Sequence, residues 1–166
     1  MGRAGLHYAT VRGDSRPGLT HMAARTPKPC TFCAIINGET PAYIVVEEPH
    51  VVAFLDSHPL FLGHVLVVPR EHVVTLKDLP RDEIEPYFTS IQRLDRAVES
   101  ALEADGSMVL NNNVISQSVP HLHVHVIPRN KGDGLRLWLG PRRKYADDAQ
   151  AAEYARRVAE AYSVLT

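Results

Sequence analysis

The sequence has few cysteines, no long apolar run and no excess of charge of either sign. Two cysteines among 166 residues cannot form the disulfide framework of small secreted proteins. No stretch approaches the roughly 18 consecutive apolar residues of a membrane-spanning helix. Because 18 lysines and arginines nearly balance 19 aspartates and glutamates, overall charge attracts the chain neither to nucleic acid nor to an acidic membrane. We therefore expect no nucleic-acid partner and no membrane contact.

The amino-terminal residues 1–29 lack a hydrophobic period and mix glycine, arginine, proline and threonine. This composition is typical of a mobile extension. Residues 1–20 also carry polar and charged side chains where a secretory signal has an apolar segment, so the expected location is cytoplasmic. The chain then divides into this extension, one domain over residues 30–146 and a carboxy-terminal helix over residues 147–166.

Short runs of β-branched residues separated by turns predict an antiparallel sheet. The five expected strands are Tyr43–Glu47, Val51–Leu55, Gly63–Val68, Ser107–Leu110 and Pro120–Pro128. Before them, the apolar run Phe32–Ile36 predicts a short helix or turn that Asn37 and Gly38 close. Strands interrupted by one long helix indicate an α+β fold with about five antiparallel strands.

Two segments have the apolar spacing of helices. Between Arg81 and Ala104 the periodic positions are Ile84, Phe88, Ile91, Leu94, Val98 and Leu102, with Pro86 in the first turns. The segment Asp147–Leu165 begins with a capping aspartate, and Gln150 completes the spacing of a capping box. Its expected apolar face consists of Tyr154, Val158, Tyr162 and Leu165.

Three histidines alternate with branched apolar residues near the end of the expected sheet. On a strand, His121, His123 and His125 would project from one face, while the residues between them would anchor the other face in a core. A single histidine in a strand is usually structural, but a row of three imidazoles gains nothing for a core. Neighbouring rings can bind different oxygens of one phosphate, or can share a metal with a ligand from elsewhere. This row therefore predicts a chemical function.

The pattern from His121 to Ile127 resembles the signature of the histidine triad (HIT) family: three histidines alternating with apolar residues, then two more apolar residues. Other segments match in the same order: Cys30–Cys33 with Ile35, Phe54–Pro59, and Gly63–Pro69 followed by His72. The resemblance covers most of residues 30–129. It implies a two-layer α+β fold that usually dimerises, a nucleotide site on the sheet face, and an activity on the α-phosphate of nucleotide derivatives.

The resemblance also assigns catalytic roles. His123 resembles the nucleophile that becomes transiently nucleotidylated, a role that suits a neutral imidazole near pH 7. His125 is placed to donate to a phosphate oxygen, and His64 adds a fourth imidazole. Ser118 is suited to donate toward the leaving atom, and Gln117 toward a phosphate oxygen.

Nucleotide contacts are implied in the same way. Asp56 resembles the acidic residue that binds the ribose hydroxyls, and Asn111 or Asn112 resembles a phosphate-contacting asparagine. Three apolar residues would line a purine pocket: Phe32, Ile35 and Phe54. Taken without the resemblance, these apolar residues would be assigned to the core, and Asp56 and the asparagines to turns.

The two cysteines form a C-x-x-C pair with the spacing of a zinc ligand pair. His72 and His121 resemble the two histidines that complete a Cys2His2 site in zinc-bearing members of the family. We expect a structural zinc at Cys30, Cys33, His72 and His121, and no organic cofactor. The alternative is a reduced thiol pair that binds no metal.

Two segments depart from the family pattern or lie outside it. Many relatives have glycines just before the glutamine, where this chain has Val114, Ile115 and Ser116. After the triad, Trp138 and three arginines follow, Arg136, Arg142 and Arg143. We do not assign these arginines to the catalytic centre, because exposed arginines are usually only solvated.

The resulting hypothesis is a nucleotide hydrolase or nucleotidyl transferase. It would cleave at the α-phosphate of purine nucleoside phosphoramidates or dinucleoside polyphosphates, through a nucleotidyl intermediate on His123, and act as a homodimer without a catalytic metal. One alternative is a zinc-dependent hydrolase whose metal lies on the histidine row itself. Another is a nucleotide-binding regulatory module with little turnover.

Overall fold

A five-stranded antiparallel sheet is the centre of the computed structural model, which describes residues 30–136 and 143–165. The helices are α1 (Thr31–Ile36), α2 (Arg81–Leu102) and α3 (Asp148–Ser163), with a 3-10 turn at Leu76–Asp78. The strands are β1 (Ile44–Glu47), β2 (Val51–Leu55), β3 (Val65–Pro69), β4 (Gly106–Asn111) and β5 (Val124–Arg129), in the order β1-β2-β3-β5-β4. The predicted α+β class and strand number are confirmed. The expected extension at residues 1–29, Trp138 and Arg142 lie outside the described residues.

The two faces of the sheet bury different clusters. Alternate residues of β2 divide between them: Val51 and Ala53 pack toward α2, whereas Val52 and Phe54 pack toward α1. The cluster on the α2 face is the larger and includes Val67, Val126 and the helix residues Tyr87, Ile91, Leu94 and Val98. The cluster on the α1 face contains Phe32, Val52, Phe54, Leu66 and Val68. The main core therefore lies on one face, and the other face is left to α1 and a cavity.

The long helix α2 is anchored by a subset of its predicted apolar positions. Ile91, Leu94 and Val98 are buried as expected, together with Tyr87, whose hydroxyl donates to the Val67 carbonyl over 2.9 Å. Three other members of the periodic series are more than 40% exposed: Ile84, Phe88 and Leu102. These three residues lie on a stripe of α2 next to the stripe that faces the core. The apolar surface of α2 is therefore wider than the part that contacts the sheet.

Strand β5 begins later than predicted. It starts at Val124, so His121 and His123 precede it and only His125 belongs to the regular strand. The reason lies in the backbone hydrogen bonds: the amide of Leu122 donates to Val73, outside the sheet, over 2.7 Å. The alternation of sides nevertheless continues, since Leu122 is fully buried in the α2-side core together with Val124 and Val126.

Turn geometry moves the start of β3 and marks the end of α2. β3 begins at Val65 because His64 donates its amide to Phe61 in a turn, where Gly63 has a φ of 90°. Residues with a Cβ rarely adopt this φ, and a Cβ at Gly63 would also contact the Leu102 side chain at the end of α2. α2 ends at Glu103, which is left-handed with a φ of 51°.

Helix α3 forms where the sequence predicts it. Asp147 caps it by accepting the amide of Gln150 over 2.7 Å, while the Gln150 side chain accepts the amide of Ala146. In the expected capping box the Gln150 side chain would accept the amide of Asp147, but here it accepts the amide of the preceding residue, Ala146. The four apolar residues predicted on one face are all exposed: Tyr154, Val158, Tyr162 and Leu165. Across residues 30–136 and 143–165, no helix has the length and apolarity to cross a membrane.

Candidate active site

A cavity of about 1030 Å³ opens on the α1 face of the sheet. Phe32 and Ile35 reach it from α1, Phe54 from β2, and Asp56 from the following turn. Ser118, His123 and His125 also line it. Seven predicted site residues therefore share one cavity, whose volume is at the upper end of the usual range for a small-molecule site.

His123 is held in one tautomer. Its Nδ1 lies 2.7 Å from the carbonyl oxygen of His121, which can only accept, so Nδ1 carries the proton. In the neutral ring, Nε2 then keeps its lone pair. The residue is only 2% exposed, yet it lines the cavity, with its ring 5.2 Å from that of Phe32 and 4.9 Å from that of His125. The geometry therefore provides an unprotonated imidazole nitrogen at a binding cavity.

His64 and His125 form a hydrogen-bonded pair. The amide of Leu60 donates to His64 Nδ1 over 3.2 Å, so the proton of a neutral His64 lies on Nε2. That nitrogen is 2.9 Å from His125 Nδ1 and donates to it, which places the His125 proton on its own Nε2. His64 is not among the cavity residues. The structure therefore places His64 outside the cavity wall, hydrogen-bonded to His125.

Burial keeps this pair neutral. It lowers the pKa of His125 to about 4, with smaller contributions from His123 and His64, against an opposing effect of Asp56. Burial likewise lowers the pKa of His64, again opposed by Asp56. At pH 7 His125 is therefore a neutral donor through Nε2.

Asp56 lies in the turn after β2 and lines the cavity. One of its oxygens accepts the amide of His58 over 2.9 Å, and the other lies 3.5 Å from His64 Nδ1. Because each carboxylate oxygen has two acceptor sites, Asp56 keeps capacity for the hydroxyls of a ligand.

The loop before the triad is held by its own amides. Asn111 donates its side-chain amide to the His123 carbonyl over 2.8 Å, and Asn112 donates to Ser116 over 3.4 Å. Gln117 donates to the Val74 carbonyl over 2.6 Å and accepts the amide of Val114. None of the three lines the cavity. In the structure, the side chains expected to contact phosphate therefore support the loop, and Ser118 is the loop's polar side chain in the cavity wall.

The departure from the family's glycines has a backbone consequence. Val114 and Ser116 have φ values of 68° and 61°, in the left-handed region that glycine occupies without cost. The loop thus adopts a glycine-type conformation without glycine.

A second cluster lies beside the cavity and includes two residues of the α1 segment. Its four members are Cys30, Cys33, His72 and His121, with ligand atoms all within 4.8 Å of one another. His121 Nδ1 lies 3.4 Å from the sulfur of Cys30 and 3.6 Å from that of Cys33, whose sulfur is 3.2 Å from His72 Nδ1. Tetrahedral zinc with ordinary bond lengths separates sulfur and nitrogen ligands by about 3.5 Å. The predicted ligands are therefore together and fit this ion.

The protonation of the cluster also suits a cation. His121 Nε2 donates to the Pro69 carbonyl over 2.9 Å, which leaves the lone pair of Nδ1 facing the sulfurs. Burial, and then Cys30, raise the pKa of the Cys33 thiol to about 11. At neutral pH the Cys33 thiol therefore keeps its proton unless a positive ion stabilises the thiolate.

Some cavity residues had no signal in the sequence. The segment Thr40–Tyr43, with Ser57, His58 and Val119, completes the cavity wall. These residues form no periodic pattern: Thr40–Tyr43 lie between α1 and β1, Ser57 and His58 follow β2, and Val119 precedes β5.

These features define a small α+β protein with a histidine-lined cavity and an adjacent Cys2His2 cluster. The family model described as HIT domain matches residues 37–132, and the chain belongs to the HIT domain family. It is 39% identical over 123 residues to Protein hit of Bacillus subtilis, which covers 72% of this chain and 82% of that protein.

Two further relatives bear on the cavity and on the cluster. The chain is 33% identical over 117 residues to the adenosine 5′-monophosphoramidase HNT1 of Candida albicans, covering 67% of this chain and 76% of that protein. A zinc-bound histidine triad family protein from Mycobacterium smegmatis superposes with a TM-score of 0.62 at 34% identity, covering 80% of this chain and 97% of that chain.

The lowered pKa values predict a pH-dependent stability. An unfolded histidine titrates near 6.5, so between about pH 4 and 6.5 the unfolded chain binds more protons than the folded one at His125. The free energy of unfolding therefore falls as the pH falls through this window. In urea unfolding at about pH 7 and about pH 5, His125→Gln should lose less stability than the wild type. The exposed His58, changed to Gln, serves as control and should keep the wild-type loss; an unchanged loss in His125→Gln would contradict the assignment.

Proposed function

We propose that this protein is a nucleotide hydrolase or nucleotidyl transferase acting at the α-phosphate of a purine nucleotide derivative. The observation that carries the proposal is the His123 tautomer, with Nδ1 bonded to the His121 carbonyl and Nε2 unprotonated at the cavity. The relative named as an adenosine 5′-monophosphoramidase supports the same class of substrate.

The cavity offers separate surfaces for the parts of a nucleotide. Phe32, Ile35 and Phe54 provide an apolar surface for the purine. Asp56 accepts hydrogen bonds from the ribose hydroxyls. The α-phosphate then lies at Ser118, His123 and His125, which line the same cavity.

Catalysis then proceeds in two displacements at phosphorus. The Nε2 lone pair of His123 attacks, a phosphorus–nitrogen bond forms, and the bond to the leaving group breaks. The neutral His125 donates a hydrogen bond from Nε2 to a non-bridging oxygen, where negative charge develops. The Ser118 hydroxyl donates a hydrogen bond to the departing atom, which takes its proton from solvent. Water or another acceptor attacks the intermediate next and gives its proton to solvent; the phosphorus–nitrogen bond breaks, which releases the nucleotide and restores His123.

The charges around the cavity favour a phosphoramidate over a dinucleoside polyphosphate. Within the described part of the chain, the cavity wall contains no lysine or arginine. A polyphosphate leaving group carries several negative charges that need cations, whereas an amine leaving group carries none. We therefore propose the phosphoramidate as the better substrate.

His123→Ala should abolish the covalent intermediate. With an adenosine phosphoramidate as substrate, mass spectrometry of rapidly quenched wild-type protein should show one adenylyl group on His123. Turnover by His123→Ala should fall at least about 10³-fold, because the nucleophile is lost. His50→Ala, at an exposed position, is the control and should keep both adduct and turnover.

The same assay with a dinucleoside polyphosphate compares the two leaving groups. A His123→Ala protein that retains wild-type turnover would contradict the mechanism. A wild-type protein that binds nucleotide but turns over neither substrate would support the regulatory binding module instead.

The second part of the proposal is a structural zinc at the Cys2His2 cluster. When bound, the ion would serve as a closed tetrahedral crosslink without an open position for water. Cys30 and Cys33 from α1 would hold it together with His72 and with His121, whose Nδ1 lone pair already faces the sulfurs. No organic cofactor is part of the proposal.

Metal analysis of purified variants tests whether zinc binds at the Cys2His2 cluster or at the histidine row. We expect about one zinc per chain in the wild type, lost in Cys30→Ser and retained in His125→Ala. The reverse result would place the metal at Asp56, His64 and His125, whose ligand atoms also lie within 4.8 Å of one another. It would favour the zinc-dependent hydrolase.

The homodimer is proposed through the outer edge of the sheet. β4 is an edge strand, and it presents Val109 and Leu110, which are 48% and 38% exposed. The half-exposed Phe88 and Leu102 of α2 add to the apolar surface of the chain. Light scattering after size-exclusion chromatography should give a dimer for the wild type and a monomer for Val109→Glu, since a buried charge opposes association. A wild-type protein that is monomeric would contradict the proposed homodimer.

A further inference from the structure

Helix α1 belongs to both the cavity and the Cys2His2 cluster. Cys30 and Cys33 contribute the two sulfurs of the cluster. Phe32 and Ile35, from the same single turn and a half, line the cavity. A helix of six residues is too short to bend between its two ends, so it can respond to either site only by moving as a unit.

Side chains alone attach this helix to the rest of the described structure. Its backbone hydrogen bonds, from Cys30 to Thr40, stay inside that segment. Phe32 anchors it by packing edge-on against Phe54, with ring centroids 5.4 Å apart. Ile35 and Ile36 also pack against the apolar cluster on this face of the sheet. In addition, the two sulfurs contact His72 and His121. The Cys2His2 cluster therefore contributes to fixing the position of α1 over the cavity.

His121 provides a second connection. Its Nδ1 faces the sulfurs, while its backbone carbonyl accepts the Nδ1 proton of His123. Its ring also lies 5.9 Å from that of Phe32. A ligand that holds His121 therefore also holds the acceptor that sets the tautomer of His123.

We infer that metal binding at the cluster and nucleotide binding in the cavity are coupled, each strengthening the other, with Phe32 and His121 as the positioning residues. The inference rests on the proposed nucleotide site. A bound ion orders α1 and His121 beforehand, so the nucleotide no longer has to order them. By reciprocity, bound nucleotide raises the affinity for the ion by the same factor. Couplings of this kind commonly amount to between about 5-fold and 150-fold, and we expect about tenfold.

Two binding measurements on the full chain test the coupling. Calorimetry with AMP should give a dissociation constant about tenfold lower for zinc-loaded protein than for protein stripped by a chelator. Competition with a chromophoric chelator should show zinc affinity raised by the same factor when AMP is saturating. Equal AMP affinities with and without zinc would overturn the coupling and leave the proposed function intact. AMP that fails to bind zinc-loaded protein would overturn both.

A kinetic measurement covers the case in which stripped protein does not fold. The chelator removes zinc from folded, loaded protein, and saturating AMP should slow this removal about tenfold. In Phe32→Ala the slowing should disappear, because the link between the sulfurs and the cavity is cut. Ile36→Ala is the matched control on the same helix, outside the cavity wall, and should keep the slowing. Removal at one rate with and without AMP in the wild type rejects the inference.

Discussion

The hydrogen bond from His123 Nδ1 to the His121 carbonyl is the contact on which the candidate chemistry depends. It selects the tautomer whose Nε2 can attack phosphorus. The bond requires residues 121–123 to stay extended, and Leu122 secures this by being fully buried on the opposite side. Asn111 secures the next peptide by donating to the His123 carbonyl. The nucleophile is thus oriented by backbone that the core holds in place.

The two faces of the sheet have different roles, one in stability and the other in the candidate chemistry. Its α2 face carries the larger apolar cluster, so it supplies most of the hydrophobic free energy of folding. The α1 face holds buried imidazoles, which cost free energy to desolvate unless they are hydrogen-bonded. His64, His121 and His123 each have such a partner. Because the apolar core on the α2 face is large, the fold can tolerate the free-energy cost of burying imidazoles on the α1 face.

Much of this arrangement was predictable because it depends on alternation and order in the chain. Branched residues around His121 and His125 indicated one histidine face, and the ligand order from Cys30 to His121 indicated the cluster. The hydrogen-bond acceptors of Gln117 and His64 were not predictable, because the fold brings Val74 and His125 to them from distant parts of the chain. The start of β5 at Val124 likewise depends on the bond from Leu122 to Val73, which is distant in the chain. The cytoplasmic location and the purine preference stay predictions.

The left-handed residues of the loop before the triad give this chain a stiffness that glycines would not provide. A residue with a Cβ in this region costs about 1 to 2 kcal/mol in the folded state. It also narrows the conformations open to the unfolded chain, which recovers part of that cost. Val114 and Ser116 thus reduce the stability of the folded state, and they also restrict the conformations of this loop in the unfolded chain. Ser118 consequently lies at the cavity on a segment whose backbone conformations are restricted by these two residues.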